Sequence, residues 1–116
     1  MEKIFKAKSE DNGKWYEFSF SDINSTNERV VIVKVDHSSG YAFLLVNTIS
    51  QYTGISDSEG NRIFEGDEFK GGGIVSYSDD RFYVRFVGDT FRESLSIYSS
   101  KDSLTGRNIH DQETKL

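Results

Sequence analysis

The sequence predicts a mainly β protein, a small barrel or sandwich, and three observations predict it. Short runs rich in β-branched and aromatic residues recur with turn residues between them, at intervals of about ten residues, the spacing of small all-β folds. No segment sustains the 3.6-residue period of a long amphipathic helix. Aromatic residues make up 14% of the 116-residue chain, with nine Phe, six Tyr and one Trp, so large side chains are available to build a core.

The elements follow in chain order. Residues 3–8 (KIFKAK) and 14–20 (KWYEFSF) flank SEDNG, where Asn12-Gly13 signals a hairpin because both residues tolerate positive φ. Residues 21–28 (SDINSTNE) are polar and read as a mobile loop. In residues 29–35 (RVVIVKV), Val31, Val33 and Val35 share one face. The HSSG turn (37–40) leads into residues 41–46 (YAFLLV), which do not alternate and so read as a strand covered on both faces. Residues 48–53 continue as an extended piece.

Residues 51–69, QYTGISDSEGNRIFEGDEF, combine three glycines with many carboxylates and show no regular period. Residues 72–78 (GGIVSYS), 81–87 (RFYVRFV) and 93–100 (ESLSIYSS) then read as strands. In RFYVRFV, Phe82, Val84 and Phe86 point one way, and Tyr83, Arg85 and Val87 the other. Ser78-Asp79-Asp80 turns the chain between the first two, Gly88-Asp89-Thr90 separates the next two, and a short helical turn fits residues 99–104.

Composition narrows the functions open to the chain. Without cysteine there is no disulfide framework and no thiolate zinc site. The opening MEKIFKAKSE lacks the apolar core of a signal peptide. The longest apolar run, YAFLLV, has six residues, far short of a membrane span. A cytoplasmic location with no membrane contact is the expectation. The net charge of −5 is spread along the chain, with 6 basic and 9 acidic residues in 1–61 and 8 and 10 in 62–116. Nucleic-acid binders carry a basic face, and these totals show none.

The carboxylate-rich stretch admits three chemical readings. Asp57, Glu59, Asn61 and Glu68 fall at positions 1, 3, 5 and 12 of an EF-hand-like count. Position 6 needs a glycine and holds Arg62, Gly60 comes two places early, and the flanks are strand-like, so a turn built on SDSEGN is the better reading. Gly66, Gly71, Gly72 and Gly73 with Lys70 match neither a Walker spacing nor G-x-G-x-x-G. Gly66 instead bends the chain before Asp67, and the later glycines form a flexible hairpin tip.

Catalysis finds little to work with. His37 sits in the HSSG turn, where exposure is expected, and His110, beside Asp111, packs or caps. The pairs Glu65/Asp67 and Asp79/Asp80 could do acid–base work only if one carboxyl were buried with a raised pKa. With no convergent constellation, no enzymatic activity is expected, and no catalytic, cofactor-binding or metal residue is assigned.

Three ordered blocks carry a resemblance. The stretch Gln51-Tyr52-Thr53-Gly54-Ile55, Asp57, Gly60, then Ile63-Phe64-Glu65-Gly66-Asp67 resembles the hallmark Q-Y-T-G-I/L-x-D-x-x-G-x-x-I/F-Y/F-E-G-D of the YopX-like family, small proteins encoded by phages and prophages. IFKAKSEDNGKWYEF resembles that family's opening, and LTGRNIHDQ its closing I-G-N-I-Y/H-D/E-N. Two residues depart from the pattern: Glu68 follows EGD where the family has an apolar residue, and Arg107 stands inside the closing block. A proline that often follows that block is also missing. The resemblance implies a small β-rich N-terminal part (1–48) joined to an SH3-type β-barrel (49–116) whose first strand is set by EGD. It implies no reaction and no cofactor, and fold alone does not supply a function.

The leading expectation is therefore a non-enzymatic phage accessory protein in the bacterial cytoplasm that binds a protein partner, such as a host or defence factor. Tyr83 and Arg85, with nearby Arg81 and Arg92, face away from Phe82, Val84 and Phe86 and are the candidate contact residues, because Tyr and Arg are common interface anchors. The plainer reading packs Tyr83 against the N-terminal part and pairs the arginines with Asp79, Asp80 or Glu93. An exposed barrel edge offers a route to a homo-oligomer. The alternative is a nucleic-acid-binding barrel that stacks bases on Trp15, Tyr16, Tyr77 or Tyr83 beside Arg85 and Lys70, against which the acidic balance argues. Ion binding by the acidic turn of residues 57–68 is the third.

Overall fold

A computed structural model describes residues 3–35 and 40–112. The chain is mainly β, and it forms two compact units that meet in sequence at Gln51 and Tyr52. Residues 36–39, which include His37 and all of the HSSG turn but Gly40, lie outside the described residues.

In the first unit, β1 (Ile4–Lys8) and β2 (Trp15–Ser19) form an antiparallel hairpin in which Phe5 faces Phe18 and Ala7 faces Tyr16. These four residues join one core face. The Asn-Gly signal works differently from expectation: only Gly13 takes positive φ (71°), while Asn12 contributes its side chain, accepting the Lys14 N–H at 2.8 Å. Residues 21–28 are not a loose loop. Ser19 and Asp22 cap a 3₁₀ turn, Phe20–Asp22, which delivers Ile23 to the core at the start of β3 (Ile23–Thr26). Asn27 then accepts the N–H groups of Arg29 and Val30, turning the chain into β4 (Val30–Lys34).

With β5 (Tyr41–Leu45), these strands form a sheet in the order β3-β4-β5. Val31 faces Leu44 and Val33 faces Ala42, and all four are buried. The prediction that β5 is covered on both faces fails, since Tyr41 and Phe43 are 47% and 40% exposed. The run YAFLLV hides an alternation because its outward residues happen to be aromatic. A 3₁₀ turn, Val46–Thr48, follows, and the buried Thr48 hydroxyl accepts the Lys8 N–H and donates to the Leu45 carbonyl, both at 2.8 Å. The next strand, β6 (Ser50–Ser56), pairs with β1 through Ser50 and Gln51.

The second unit begins as β6 continues against β7 (Arg62–Phe64). Then come β8 (Asp67–Phe69), β9 (Gly73–Ser78), β10 (Arg81–Phe86) and β11 (Arg92–Ser94). One helical turn, α1 (Leu95–Tyr98), β12 (Leu104–Asn108) and a 3₁₀ turn, Ile109–Gln112, complete it. The sheet order is β11-β10-β9-β8-β12, with β11 and β12 at its edges, so no closed barrel forms among the described residues.

Phe69, Val75, Val84, Leu95, Ile63 and Tyr98 make the core, with Phe69 set edge-on to Tyr98 at 4.9 Å between ring centres. The helical turn lies earlier than the sequence indicates. ESLSIYSS leaves the strand at Ser94, because Leu95 and Tyr98, three apart, bury the same side of a turn. Of the glycines at 71–73, Gly71 and Gly72 are exposed at the turn and Gly73 is buried at the start of β9, while the Gly71 N–H donates to Asp102 at 3.0 Å and ties this end of the turn down. Asp79 and Asp80 form the two-residue β9–β10 turn at φ 54° and 63°, a left-handed pair that Asn-Gly fills more easily.

Candidate functional site

The family-like blocks resolve into clasps that hold the second unit. The Asp57 carboxylate is buried and accepts four hydrogen bonds, from the N–H groups of Glu59, Asn61 and Leu104 and from the Asn61 side-chain amide, at 2.8–3.0 Å. It ties the SDSEGN turn to β12, and its oxygens meet donors, the arrangement of a structural carboxylate. Among the described residues, no group of three or more His, Asp or Glu side chains gathers in a form that could hold a metal ion.

Gly66 turns at φ 88° so that Asp67 can reach back to the Phe64 N–H at 2.7 Å. Asn108 completes this clasp by donating to Asp67 at 2.9 Å and to the Glu65 carbonyl at 3.1 Å. His110 is half-buried and its N–H caps the Asn108 side chain at 3.0 Å. A third carboxylate, Asp102, accepts from the Tyr98 hydroxyl at 2.7 Å and from the N–H groups of Gly71 and Ser103. Burial, reinforced by the hydrogen bond and charge of Asp102, pushes the Tyr98 phenol up to about 12.

These clasps predict an acid-labile fold. Burial pushes the Asp57 and Asp102 carboxyls up, but their hydrogen bonds together outweigh it and leave both below the ordinary 3.8. The unfolded chain therefore binds their protons more readily. Their contribution is complete above the ordinary carboxylate range and is lost as pH falls through the lower folded-state values. Urea unfolding should show Asp57→Asn clearly less stable than the parent at about pH 6, and the difference should shrink as pH falls below the ordinary carboxylate range toward the lower folded-state value. A gap that stays constant with pH rules out the ionised clasp.

The candidate contact residues converge on the outer face of β9, β10 and β11. Alternation sends Val84 inward and Arg81, Tyr83 and Arg85 outward. Across the sheet Tyr83 faces Ser76 and Ser94, and Arg85 faces Arg92. The Arg92 guanidinium lies over the Tyr83 ring at 4.5 Å, and Arg85 Nε donates to Ser76 Oγ at 2.8 Å. A cleft of about 480 Å³ runs beside this group, lined by Asp79, Arg81, Tyr83, Arg92, Glu93 and Ser94 among others.

The expected pairing of these arginines with Asp79, Asp80 or Glu93 does not occur. Lys101 holds Glu93 at 2.7 Å, the Tyr77 hydroxyl donates to Asp80, and the Ser78 hydroxyl to Asp79. Among the described residues, Arg81, Arg85 and Arg92 have no carboxylate partner. Tyr83 packs under Arg92.

Two other aromatic and basic residues of the second unit, Tyr77 and Lys70, do not join this face. Tyr77 pairs with Phe82 at 4.8 Å on the opposite side of the hairpin, and Lys70 reaches Glu59 at 3.6 Å. Trp15 and Tyr16 belong to the first unit. Ser76 and Ser94, which the sequence reading passed over, complete the site; the signal for them was their register opposite Tyr83, which strand alternation alone does not give. Among the described residues, no helix is long and apolar enough to cross a membrane.

Comparison with known proteins adds kinship to this geometry. The YopX protein family matches residues 4–114. No curated protein and no solved structure matches the chain. The match takes in the β1–β2 hairpin, the Asp57 and Asp67 clasps and the closing Asn108 block alike, and the chain belongs to the YopX protein family.

Proposed function

We propose that this YopX-family chain is a non-enzymatic, phage-type accessory protein of the bacterial cytoplasm that binds a protein partner through the outer face of β9–β11. One observation carries the reading: a chain of net charge −5 sets three guanidiniums without carboxylate partners around a tyrosine on one sheet face. Arg and Tyr presented in this way are the residue types that anchor interfaces. The clasps support the non-enzymatic part, because Asp57, Asp67 and Asp102 are committed to backbone and side-chain donors. The strand order with one helical turn before the last strand supports an SH3-type reading of the second unit, open between β11 and β12.

Protein is favoured over nucleic acid as the partner by the charges in the cleft. Asp79 and the Lys101-paired Glu93 line it together with Arg81 and Arg92, and the Asp79 charge opposes a polyanion more than a mixed-charge protein segment. The test is a pull-down from host lysate with and without nuclease, comparing the tagged parent with Arg81→Ser and Tyr83→Ala. One protein recovered stoichiometrically by the parent and lost with either variant is the expected result. Recovery that disappears on nuclease treatment assigns nucleic acid instead, recovery of the tagged chain's own copies assigns self-association, and an empty pull-down rejects the proposal.

A further inference from the structure

We infer that Arg85 and Arg92 form a two-guanidinium clamp for a carboxylate side chain of the partner, an inference that rests on the protein-binding reading above. The two residues stand directly opposite one another in the β10–β11 register. Side chains in that relation lie close together on one face, and like charges so placed repel. Neither is neutralised by a carboxylate among the described residues. An anion seated between them removes the repulsion.

Both guanidiniums are already aimed. The bond from Arg85 Nε to Ser76 Oγ, at 2.8 Å, fixes that plane and leaves its terminal nitrogens for a ligand. The Arg92 guanidinium carbon lies 4.5 Å from the centre of the Tyr83 ring, a contact that restrains its position while the side chain stays exposed. A fork of this kind matches the two oxygens of a carboxylate, and little side-chain freedom remains to be lost on binding.

The same geometry selects a peptide carboxylate over a nucleic-acid phosphate. Arg92 covers one face of Tyr83, a face that a stacked base needs. Beside Arg92 the cleft meets Asp79, which turns away the next phosphates of a strand but accepts the neutral or basic residues that can flank a single Glu or Asp, and Glu93 there is already held by Lys101.

The test is a side-chain NMR titration of the full chain with three probes: a capped peptide carrying one Glu between neutral residues, a short oligothymidylate and inorganic phosphate. The peptide is expected to move the Nε–H resonances of both Arg85 and Arg92 saturably, with a dissociation constant in the range of about 1 mM. Arg85→Lys keeps the charge but loses the fork, and is expected to weaken that binding about tenfold with an unchanged amide spectrum. Three outcomes overturn the clamp: no shift at the two arginines with peptide, a response to phosphate or oligonucleotide in place of the peptide, or equal peptide affinity in Arg85→Lys. A lysate partner that the parent and Arg85→Lys recover equally also sinks the clamp, while leaving the protein-binding reading standing.

Discussion

Replacing Asp67 by alanine is expected to lower stability by about 3 kcal/mol, a large share of what a domain of this size has. The carboxylate is 4% exposed. One oxygen takes the Phe64 N–H at 2.7 Å and the other the Asn108 amide at 2.9 Å. Alanine leaves both donors facing a dry gap, and each orphaned buried donor costs about 1–3 kcal/mol. The Glu65 carbonyl already accepts from the same Asn108 amide, at 3.1 Å. Asp67→Asn should lose less, because one acceptor oxygen survives.

Asn108→Ala should fall in the same range and should not add to Asp67→Ala. A double-mutant cycle read by urea unfolding is expected to give a coupling above about 1 kcal/mol, as for residues in one network. Additive losses, or a loss below about 1 kcal/mol for Asp67→Ala, remove the clasp as an explanation of the EGD block.

The same residues show why the sequence announced kinship more readily than activity. The blocks around Gln51-Tyr52-Thr53-Gly54 and Glu65-Gly66-Asp67 stand out because they meet backbone demands: Thr53 Oγ1 donates to the Ile63 carbonyl at 2.8 Å, and Gly54 and Gly66 take positive φ. Demands of that kind are local, so they can be read along the chain. The mainly β fold and the inward set Phe82, Val84 and Phe86 were legible for the same reason.

What stayed hidden depended on partners distant in sequence. Nothing in YAFLLV says which face lacks a cover, and nothing in ESLSIYSS says that Leu95 and Tyr98 must reach Phe69. The two departures from the family pattern are the plainest case. Glu68 and Arg107 look like separate anomalies in sequence, yet they form a two-bonded pair, with both contacts at 3.2 Å, between the neighbouring strands β8 and β12. An arginine placed where the β12 backbone passes Glu68 supplies the contact that an apolar residue would have to find elsewhere. Arg107 is 69% exposed, so the exchange is nearly neutral in stability. The candidate site was half legible: alternation placed Tyr83, Arg81 and Arg85 together, but only the register shows Arg85 opposite Arg92.

Gly73→Ala is the second large effect, and it acts through space alone. Gly73 is buried at the start of β9, opposite Phe86 in the β9–β10 register. A methyl group there would sit 2.3 Å from Val84 Cγ1 and 3.1 Å from the Phe86 ring. Val84 is fully buried and β-branched, which restricts the rotamers it can retreat into. The strand must instead part from β10, and overpacking of this kind costs about 1–3 kcal/mol, with the upper end expected for so short an approach. Val84→Ala alone should also destabilise, by about 2 kcal/mol, by opening a cavity beneath the same glycine. The two changes together return the methyl volume that each alone misplaces. The double variant should therefore be more stable than Gly73→Ala alone, by thermal or urea unfolding, whereas a strict sum of the two losses means that the limit at position 73 lies in the backbone and not in the space Val84 fills.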